Sequence, residues 1–428
     1  MENTDVAHEY SKIRLMLRSR HMSCRVLYIS GSLGLGHVTR DLAIATEMRR
    51  MCPDVDIVWI AGSPASDVLT AAGERLVPEQ AKYWGETDLA ETVARNGRLS
   101  LTIYVYRALA AWFHNARLIG TVASGGGFDV IVGNETYEIP VANFFGVHVL
   151  PPTPFVMMYD FWGMEVTSGN VFEKLGAWML NLVWSQEWRV TARKQNAAIF
   201  FGEIEDVPDR PFGFLLPNRH RYVKKHIEFV GYPLSFDVKC VPHRDVLRRE
   251  LGYSDGPLVI CTVGGTSIGR DLLELCGNAF SLVTDHIPGL HMVLVAGPRI
   301  DPKSLDVPNG IDCRGMVPNL WRHLAACDLA VVQGGGTTTL EVEALRVPFL
   351  FFPIEHQSEQ EVTIANRLFR HGAGIRMHVS STSPQDMADA IKANLGVKVS
   401  YPEIPVDGTR LAAMRVLERA GIRNLENG

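Results

Sequence analysis

The chain alternates short apolar runs with longer segments of helical periodicity from one end to the other. Each run has about the length of a strand and few polar interruptions, which is typical of parallel strands buried on both faces. Strands separated by helix-length segments predict βαβ units and open parallel sheets. The predicted strands are RVLYIS, DIVWIA, DVIVGN and AAIFFGE in the first half, and PLVICTVGG, HMVLVAG, LAVVQGG and PFLFFPI in the second.

The length and the breaks in periodicity predict the domain organisation. A chain of 428 residues exceeds what one core usually holds, so we expect two Rossmann-like, doubly wound α/β domains. Proline, glycine and charged residues interrupt the pattern near residues 229–245 and again near 401–407. The predicted units are a flexible leader over 1–22, an N-terminal domain over 23–235, a C-terminal domain over 236–405, and a final helix over 406–428 that packs on either domain.

Composition excludes several classes of function. The net charge of −5 does not suit a general nucleic-acid binder. The 7 cysteines form no C-x-x-C pair, which favours free thiols in a reducing compartment. The charged N-terminus does not look like a secretory signal, and no apolar run reaches the roughly eighteen residues of a membrane-spanning helix. We therefore expect a cytoplasmic protein.

A glycine-rich loop, Gly31 to Gly36, follows the first predicted strand and ends at His37. Its G-x-x-G-x-G order differs from the dinucleotide fingerprint, and the P-loop lysine is missing, so neither a nicotinamide nor an ATP site is favoured. His37 opens a helix, where the positive end of the helix dipole disfavours imidazolium and keeps the ring able to accept a proton. The alternative is that His37 only packs or caps the helix.

A second glycine cluster lies between a buried strand and a helix and consists of Gly334, Gly335 and Gly336. Its backbone N–H groups, with the hydroxyls of Thr337 and Thr338, predict an anion site suited to a diphosphate. One helical turn further along the chain, the carboxylate of Glu341 is suited to a ribose. Beyond the next strand, Glu359 and Gln360 are suited to sugar hydroxyls.

An earlier loop of the C-terminal half repeats this arrangement after the strand PLVICTV. It consists of Gly264, Gly265, Thr266 and Ser267. Tight packing of a helix on a strand, with threonine caps, explains any one of these loops but explains the set poorly. Because the carboxyl ends of parallel strands share one edge of a sheet, we expect the loops to build one site.

These motifs resemble the two-domain GT-B nucleotide-sugar glycosyltransferases, especially the branch related to MurG and the UDP-glycosyltransferase-like enzymes. The stretch GSLGLGHVTR is similar to the family's early loop ending in Gly-His, and VGGTSIG to the G-G-[ST] loop of its C-terminal domain. The family's donor stretch is matched by the Gly334 cluster, Glu341, Pro348 and Gln360. The resemblance spans most of residues 25 to 375.

The resemblance implies two domains that face each other across a cleft. The C-terminal domain would bind a UDP- or dTDP-sugar, with UDP favoured, and the N-terminal domain a small-molecule or lipid-linked acceptor next to the loop of Gly34 and Gly36. The glycine loops would hold the diphosphate, and Glu341 the ribose. Backbone near Met316 and Val317 would read the base, and Glu359 and Gln360 would contact the sugar.

The resemblance also implies a mechanism, with His37 as the general base. Related enzymes orient this histidine with an aspartate at the end of a strand, where this chain has Asn134 followed by Glu135, and we predict Glu135 as the supporting carboxylate. Phe349 and Phe351 stand where retaining relatives carry glutamates, which favours inversion. We predict neither metal nor cofactor, since the one D-x-D motif precedes its strand, at the wrong end of a parallel sheet.

Two other functions fit the same donor site. One is a nucleotide-sugar hydrolase, with water in place of the acceptor. The other is a catalytically silent sugar-nucleotide binding protein, because Asn134 and Ser235 depart from the family pattern.

Two segments of the N-terminal half are rich in aromatic residues. The second contains an apolar stripe at helical spacing with basic residues beside it: Val171, Phe172, Leu175, Trp178, Met179 and Leu182, flanked by Lys174, Arg189, Arg193 and Lys194. Such a stripe normally faces the core, and we expect the same here. The alternatives are a hydrophobic acceptor cleft and a surface that rests on anionic lipid at the inner face of a membrane.

Overall fold

A computed structural model describes residues 24–31, 35–85, 94–95, 98–99, 101–167 and 169–423. The predicted leader and Gly34 lie outside the described residues. The strands are β1 Arg25–Ser30, β2 Asp56–Ala61, β3 Arg75–Leu76, β4 Ala94–Arg95, β5 Arg98–Leu99, β6 Val130–Asn134, β7 Phe155–Tyr159, β8 Ala197–Phe200, β9 Glu228–Phe229, β10 Leu258–Thr262, β11 His291–Val295, β12 Asp312–Arg314, β13 Leu329–Gln333, β14 Phe349–Phe352 and β15 Ile375–Arg376.

Helices follow most of these strands, as βαβ units require. They are α1 Gly36–Met51, α2 Ala65–Ala71, α3 Leu101–Gly125, α4 Glu138–Phe144, α5 Val171–Trp184, α6 Trp188–Thr191, α7 Arg219–His226, α8 Arg244–Leu251, α9 Arg270–Asn278, α10 Phe280–Thr284, α11 Leu320–Ala326, α12 Gly336–Ala344, α13 Ala365–His371, α14 Pro384–Asn394 and α15 Gly408–Arg419. A π-helical turn, Glu359–Ile364, precedes α13.

The described residues form two large parallel sheets. The N-terminal sheet has the order β3-β2-β1-β6-β7-β8-β9, and the C-terminal sheet has the order β12-β11-β10-β13-β14-β15. In each sheet the strand order reverses beside the first strand, at β1/β6 and at β10/β13, which are the points where doubly wound sheets bind ligands. The predicted fold class, two doubly wound Rossmann-like domains, is therefore confirmed.

The apolar strand runs explain the cores. Leu27 and Ile29 of β1 pack on one face of the N-terminal sheet, and Val26 and Tyr28 pack on the other. The C-terminal sheet has the same two-sided burial, with Val259 and Ile260 of β10 in different clusters. Each predicted strand contains an observed one, but the run FVMMY, which forms β7, was not predicted as a strand.

The chain crosses between the domains twice, and the two crossings lie side by side. Tyr232 on the outward crossing donates its N–H to Pro405 O at 2.7 Å, and Gly408 N donates to Tyr232 O at 3.1 Å. A Cβ at Gly408 would lie 2.6 Å from the Tyr232 carbonyl carbon, so the contact requires glycine. The returning chain ends in α15, whose Ala412 and Val416 pack into the N-terminal core.

A buried ion pair ties the first helix of the C-terminal domain to its sheet. The guanidinium of Arg248, with 5% of its side chain exposed, donates to Asp328 Oδ2 at 2.6 Å. The same carboxylate accepts from Leu258 N, and Arg248 also donates to Ala326 O at 2.9 Å. Removing one partner of such a pair leaves an uncompensated buried charge.

We expect Asp328→Ala to lower the free energy of unfolding by about 3–5 kcal/mol, because it leaves the buried charge of Arg248 without its partner. Arg244 also contacts Asp328, but 47% of its side chain is exposed, so Arg244→Ala is a matched control that should cost less than about 1 kcal/mol. Urea denaturation measures both changes. Equal losses for the two variants would contradict the assignment.

Candidate active site

A cavity of about 220 Å³ lies between the domains, at the carboxyl ends of both sheets. It brings together most of the residues predicted from the two halves of the sequence. The predicted residues that line it are Gly36, His37, Glu135, Gly264, Gly265, Thr266, Gly335, Gly336, Thr337, Thr338, Glu359 and Gln360. Other predicted residues do not line it, namely Ser267, Met316, Val317, Gly334 and Glu341.

The two glycine loops meet directly across the cleft. A Cβ at Gly36 would lie 2.7 Å from Thr337 Oγ1, on the loop of the other domain. The absence of a side chain at residue 36 therefore lets α1 and α12 approach each other at their N-termini. This contact places His37 next to the predicted anion site.

A buried carboxylate anchors the N-terminal wall of the cavity. Asp41 on α1 accepts hydrogen bonds from Tyr28 Oη at 2.9 Å, Ser30 Oγ at 2.6 Å and Asn134 Nδ2 at 2.6 Å. Burial raises its pKa to about 6, although Arg40 and these hydrogen bonds oppose the shift. The network fixes the amide of Asn134 at the end of β6.

The guanidinium of Arg40, one helical turn after His37, connects this network to the imidazole. It donates to Asn134 Oδ1 at 2.8 Å and to Asp160 Oδ2 at 2.8 Å. It also lies 2.8 Å from His37 Nδ1. Two strand ends and one helix therefore converge on a single buried cation.

Glu135 lies on the other side of the His37 ring. Its Oε2 atom is 3.5 Å from His37 Nε2, and 9% of each side chain is exposed. The residue has a φ of +50°, in the left-handed region that a side chain other than glycine seldom adopts. This turn directly after β6 lets consecutive residues face the same site, which alternation along a strand would forbid.

The electrostatic surroundings keep His37 neutral. Burial lowers its pKa to about 4, and the nearby Arg40 charge adds to the shift, while Asp160 and Asn134 oppose it. Burial raises the pKa of Glu135 well above its usual range, and the negative charge of Asp160 raises it further. The pKa of His37 is thus lowered and the pKa of its neighbour Glu135 is raised. Opposite shifts of two neighbouring groups are found at many catalytic sites.

The C-terminal wall offers donors suited to an anion. The Thr266 hydroxyl is buried and has no hydrogen-bond partner among the described residues. Helix α12 starts at Gly336 with its first N–H groups at the cavity, where the helix dipole favours negative charge. Such an arrangement binds phosphate groups without a charged side chain.

The polar side chains after β14 are held in place by the loop itself. Gln360 Oε1 accepts from Ile354 N at 2.9 Å, and Gln357 Nε2 donates to Glu359 Oε2 at 3.0 Å. Burial raises the pKa of Glu359 to about 7, and Asp160 across the cleft contributes.

Glu341 lies deeper than the sequence suggested. It is buried on α12 beside Ser235 of the outward crossing, away from the cavity lining. Burial raises its pKa to about 8, and a hydrogen bond with Ser235 opposes that shift. Met316 and Val317 follow β12, and 55% of Met316 is exposed. The ribose and base roles of these residues stay predictions.

The far end of the cavity is apolar. Its walls come from α3, α4, α5 and the segment after β7, with Trp112, Val141, Phe161, Leu180 and Trp184 at the lining. Apolar walls with few polar groups are typical of sites for hydrophobic ligands.

Two residues that lie around His37 were not predicted from the sequence. Asp160 follows β7 and lies 3.9 Å from His37 Nδ1, and Arg40 lies between them. The sequence did contain a signal, because FVMMYD is a buried-strand run that ends in a carboxylate. That run opens the second aromatic-rich segment, whose aromatic residues obscure its strand pattern.

The ligand atoms of His37, Glu135 and Asp160 all lie within 4.8 Å of one another, a spacing that suits a metal ion. The positively charged Arg40 is already hydrogen-bonded to two of these residues. A bound cation would have to displace it or tolerate its charge. Independence from metals and cofactors therefore stays a prediction.

The expectation that the stripe on α5 faces the core is wrong. Val171 and Phe172 are each 73% exposed, and Leu175 and Met179 are more than half exposed. The buried residues of the helix are Ala177, Asn181 and Trp184, on a different face. Helical spacing showed that the apolar residues share a face, but it did not show what that face contacts.

Comparison with known proteins gives relatives of one kind. The chain is 28% identical over 178 residues to an uncharacterized glycosyltransferase of Methanopyrus kandleri, covering 41% of this chain and 49% of that one. A second uncharacterized glycosyltransferase, of Methanosarcina mazei, is 24% identical over 393 residues, covering 86% and 88%. No protein-family model matches the chain.

A third relative bears a more specific name. The UDP-N-acetylglucosamine--N-acetylmuramyl-(pentapeptide) pyrophosphoryl-undecaprenol N-acetylglucosamine transferase of Mycolicibacterium vanbaalenii is 23% identical over 374 residues, covering 85% of this chain and 80% of that one. The alignment with the Methanopyrus relative spans about half of that protein's length.

Solved structures share the whole architecture. The glycotransferase of kitacinnamycin superposes with a TM-score of 0.56 at 14% identity, covering 94% of this chain and 100% of that one. The spinosyn rhamnosyltransferase SpnG complexed with thymidine diphosphate gives 0.54 at 16% identity, covering 93% and 96%. The chain therefore has the GT-B fold. Its sequence relatives are named glycosyltransferases, so the resemblance seen in the motifs is confirmed.

We expect His37 to stay uncharged down to about pH 4, because burial disfavours the imidazolium. Between about pH 6.5 and pH 4 the unfolded chain would bind a proton that the folded chain does not, so the folded state loses stability as the pH falls. NMR titration of ¹⁵N-labelled histidine measures this pKa, and the spectrum of His37→Gln assigns the signal. A signal from His37 that titrates near pH 6.5 would contradict the burial argument.

Proposed function

We propose that the protein is a glycosyltransferase that moves a sugar from a nucleoside-diphosphate sugar, UDP-linked or dTDP-linked, to a hydroxyl acceptor. One observation carries the proposal: the glycine loops of the C-terminal domain and the His37–Glu135 pair of the N-terminal domain share one cavity. A donor bound at the loops would present its anomeric carbon to that pair. Direct attack by the acceptor inverts the anomeric centre.

The donor side rests on the chemistry of the two loops. Thr266 and the start of α12 would bind the diphosphate and stabilise the charge that develops as it leaves. The names of the relatives support a sugar-nucleotide donor, since one is a UDP-N-acetylglucosamine-dependent transferase and one solved structure holds thymidine diphosphate. Glu359 and Gln360 line the same cavity, and we propose that they contact the transferred sugar.

The acceptor side of the proposal rests on the His37–Glu135 pair and on the apolar far end of the cavity. The pair would take up the proton of the attacking hydroxyl, for which a positioned group contributes about 100- to 10,000-fold. The sequence assigned this role to His37, with support from Glu135. The walls formed by Trp112, Phe161 and Trp184 favour an acceptor with a hydrophobic portion.

Nucleotide release tests the proposal. The protein is incubated with UDP- and dTDP-sugars, with and without hydrophobic alcohols and lipid-linked sugars as acceptors. Release that depends on the acceptor supports transfer, whereas release in water alone supports the hydrolase. Binding without release would favour the silent sugar-nucleotide binding protein.

We expect Gly335→Asp to raise the KM for the donor at least about tenfold, because a carboxylate would repel the diphosphate. Gly335 is the N-cap of α12, and a Cβ there meets no atom within 4 Å. Aspartate also suits an N-cap, so the fold should persist. Gly335→Asn is the matched uncharged control. Equal KM values for the two variants would argue against a diphosphate at this loop.

We also propose that the protein rests on an anionic membrane surface through an apolar patch beside the far end of the cavity. The patch consists of Val171, Phe172, Leu175, Met179, Phe214 and Leu215, all more than half exposed. Trp178 Nε1 donates to Phe214 O at 3.1 Å, and this hydrogen bond joins the loop that carries Phe214 and Leu215 to α5. The exposed side chains of Lys174, Arg189 and Lys194 lie on or near the helix. None of the described helices is long and apolar enough to cross a membrane.

We expect the protein to co-sediment with phosphatidylglycerol vesicles at low salt, and Phe172→Ser/Leu175→Ser to reduce the bound fraction several-fold. Phe369→Ser is the control, because Phe369 is 88% exposed but belongs to the other domain. If the unmodified protein remains in the supernatant at low salt, it does not use the patch on membranes.

A further inference from the structure

The two ring nitrogens of His37 have different partners. Arg40 Nη2 lies 2.8 Å from Nδ1, and a guanidinium offers only donors. Nδ1 must therefore present its lone pair to Arg40. In the neutral ring the single proton then lies on Nε2, which leaves that nitrogen a donor with no lone pair to accept a proton.

The nitrogen that carries the proton faces a carboxylate. His37 Nε2 is 3.5 Å from Glu135 Oε2, and the other carboxylate oxygen of Glu135 is 3.5 Å from Asp160 N. Glu135 also lines the cavity. The group next to the ring that can accept a proton is therefore the carboxylate, within reach of a ligand in the cavity.

The backbone holds this carboxylate in place at some cost. The φ of +50° at Glu135 is strained for a residue with a Cβ. Hydrogen bonds on both sides maintain it, from Glu135 N to Met158 O at 3.0 Å and from Tyr137 N to Glu135 O at 2.9 Å. Strained residues of this kind cluster at functional sites, where the surrounding structure enforces them.

The charges around the pair separate the roles of the two carboxylates. Burial opposes ionisation of Asp160, but Arg40, Glu135 and His37 outweigh it and hold its pKa below the usual range. Asp160 therefore remains ionised as the partner of Arg40. Burial and the neighbouring Asp160 raise the pKa of Glu135, so a smaller fraction of it is ionised at a given pH, and its ionised form is the stronger base of the two.

We propose that the carboxylate of Glu135 accepts the proton of the incoming hydroxyl, and that Arg40 and His37 are positioning residues that hold it. This inference rests on the proposed function. The O–H bond breaks and its proton passes to Glu135. The hydroxyl oxygen bonds to the anomeric carbon, the bond from that carbon to the diphosphate breaks, and the departing nucleotide keeps the electron pair.

Three variants separate a base from a support. Glu135→Gln should lower kcat about 100- to 10,000-fold. His37→Gln should lose at least tenfold less, since its amide accepts from Arg40 and donates to Glu135 as the ring does. Glu135→Gly has no strain at a φ of +50° and leaves room for a small acid. We expect formate to restore at least tenfold activity to Glu135→Gly, but not to Glu135→Gln, whose amide fills the space.

Two measurements on the unmodified protein complete the test. ¹⁵N NMR of His37 should show a proton on Nε2 and a hydrogen-bonded lone pair on Nδ1. A ring protonated on Nδ1 would overturn the inference whatever the activity, as would an active Glu135→Gln beside an inactive His37→Gln. If the unmodified protein releases no nucleotide with any acceptor, the proposed function fails, and the assigned step fails with it.

Discussion

The guanidinium of Arg40 is the buried cation on which the N-terminal half of the cleft depends. It comes from α1 and contacts the amide that ends β6, the carboxylate that follows β7 and the imidazole on its own helix. Each of these groups would be costly to bury alone, and each is satisfied by the same cation. The site is therefore preorganised by folding, so binding need not pay to orient it.

Much of the fold could be predicted because parallel strands buried on both faces leave an unmistakable apolar signature. Glycine clusters that follow such strands mark the carboxyl edge of a sheet, which is why His37, Thr266 and Thr337 were expected together from far apart in the sequence. The cavity that they line combines both halves of the chain. The strand pattern predicted the edge, and the family resemblance predicted that two edges face each other.

The parts that could not be predicted depend on tertiary contacts and on single dihedral angles. Because side chains alternate along a strand, the sequence allowed only one of Asn134 and Glu135 to face the site. The left-handed φ of Glu135, directly after β6, lets both side chains face it. Asp160 was missed because β7 is flanked by aromatic residues that obscured its strand pattern. The outward apolar face of α5 has the same periodicity as a core helix, and only the neighbouring elements reveal the difference.

The paired crossings at Tyr232 and Gly408 have a mechanical consequence. The two connecting segments are hydrogen-bonded side by side. They resist translation and twisting of one domain against the other, but they permit rotation about the line that joins the two segments. Such a rotation would widen the cleft, with the hinge at the two crossings. The Gly36–Thr337 contact between the domains would separate as the cleft widens.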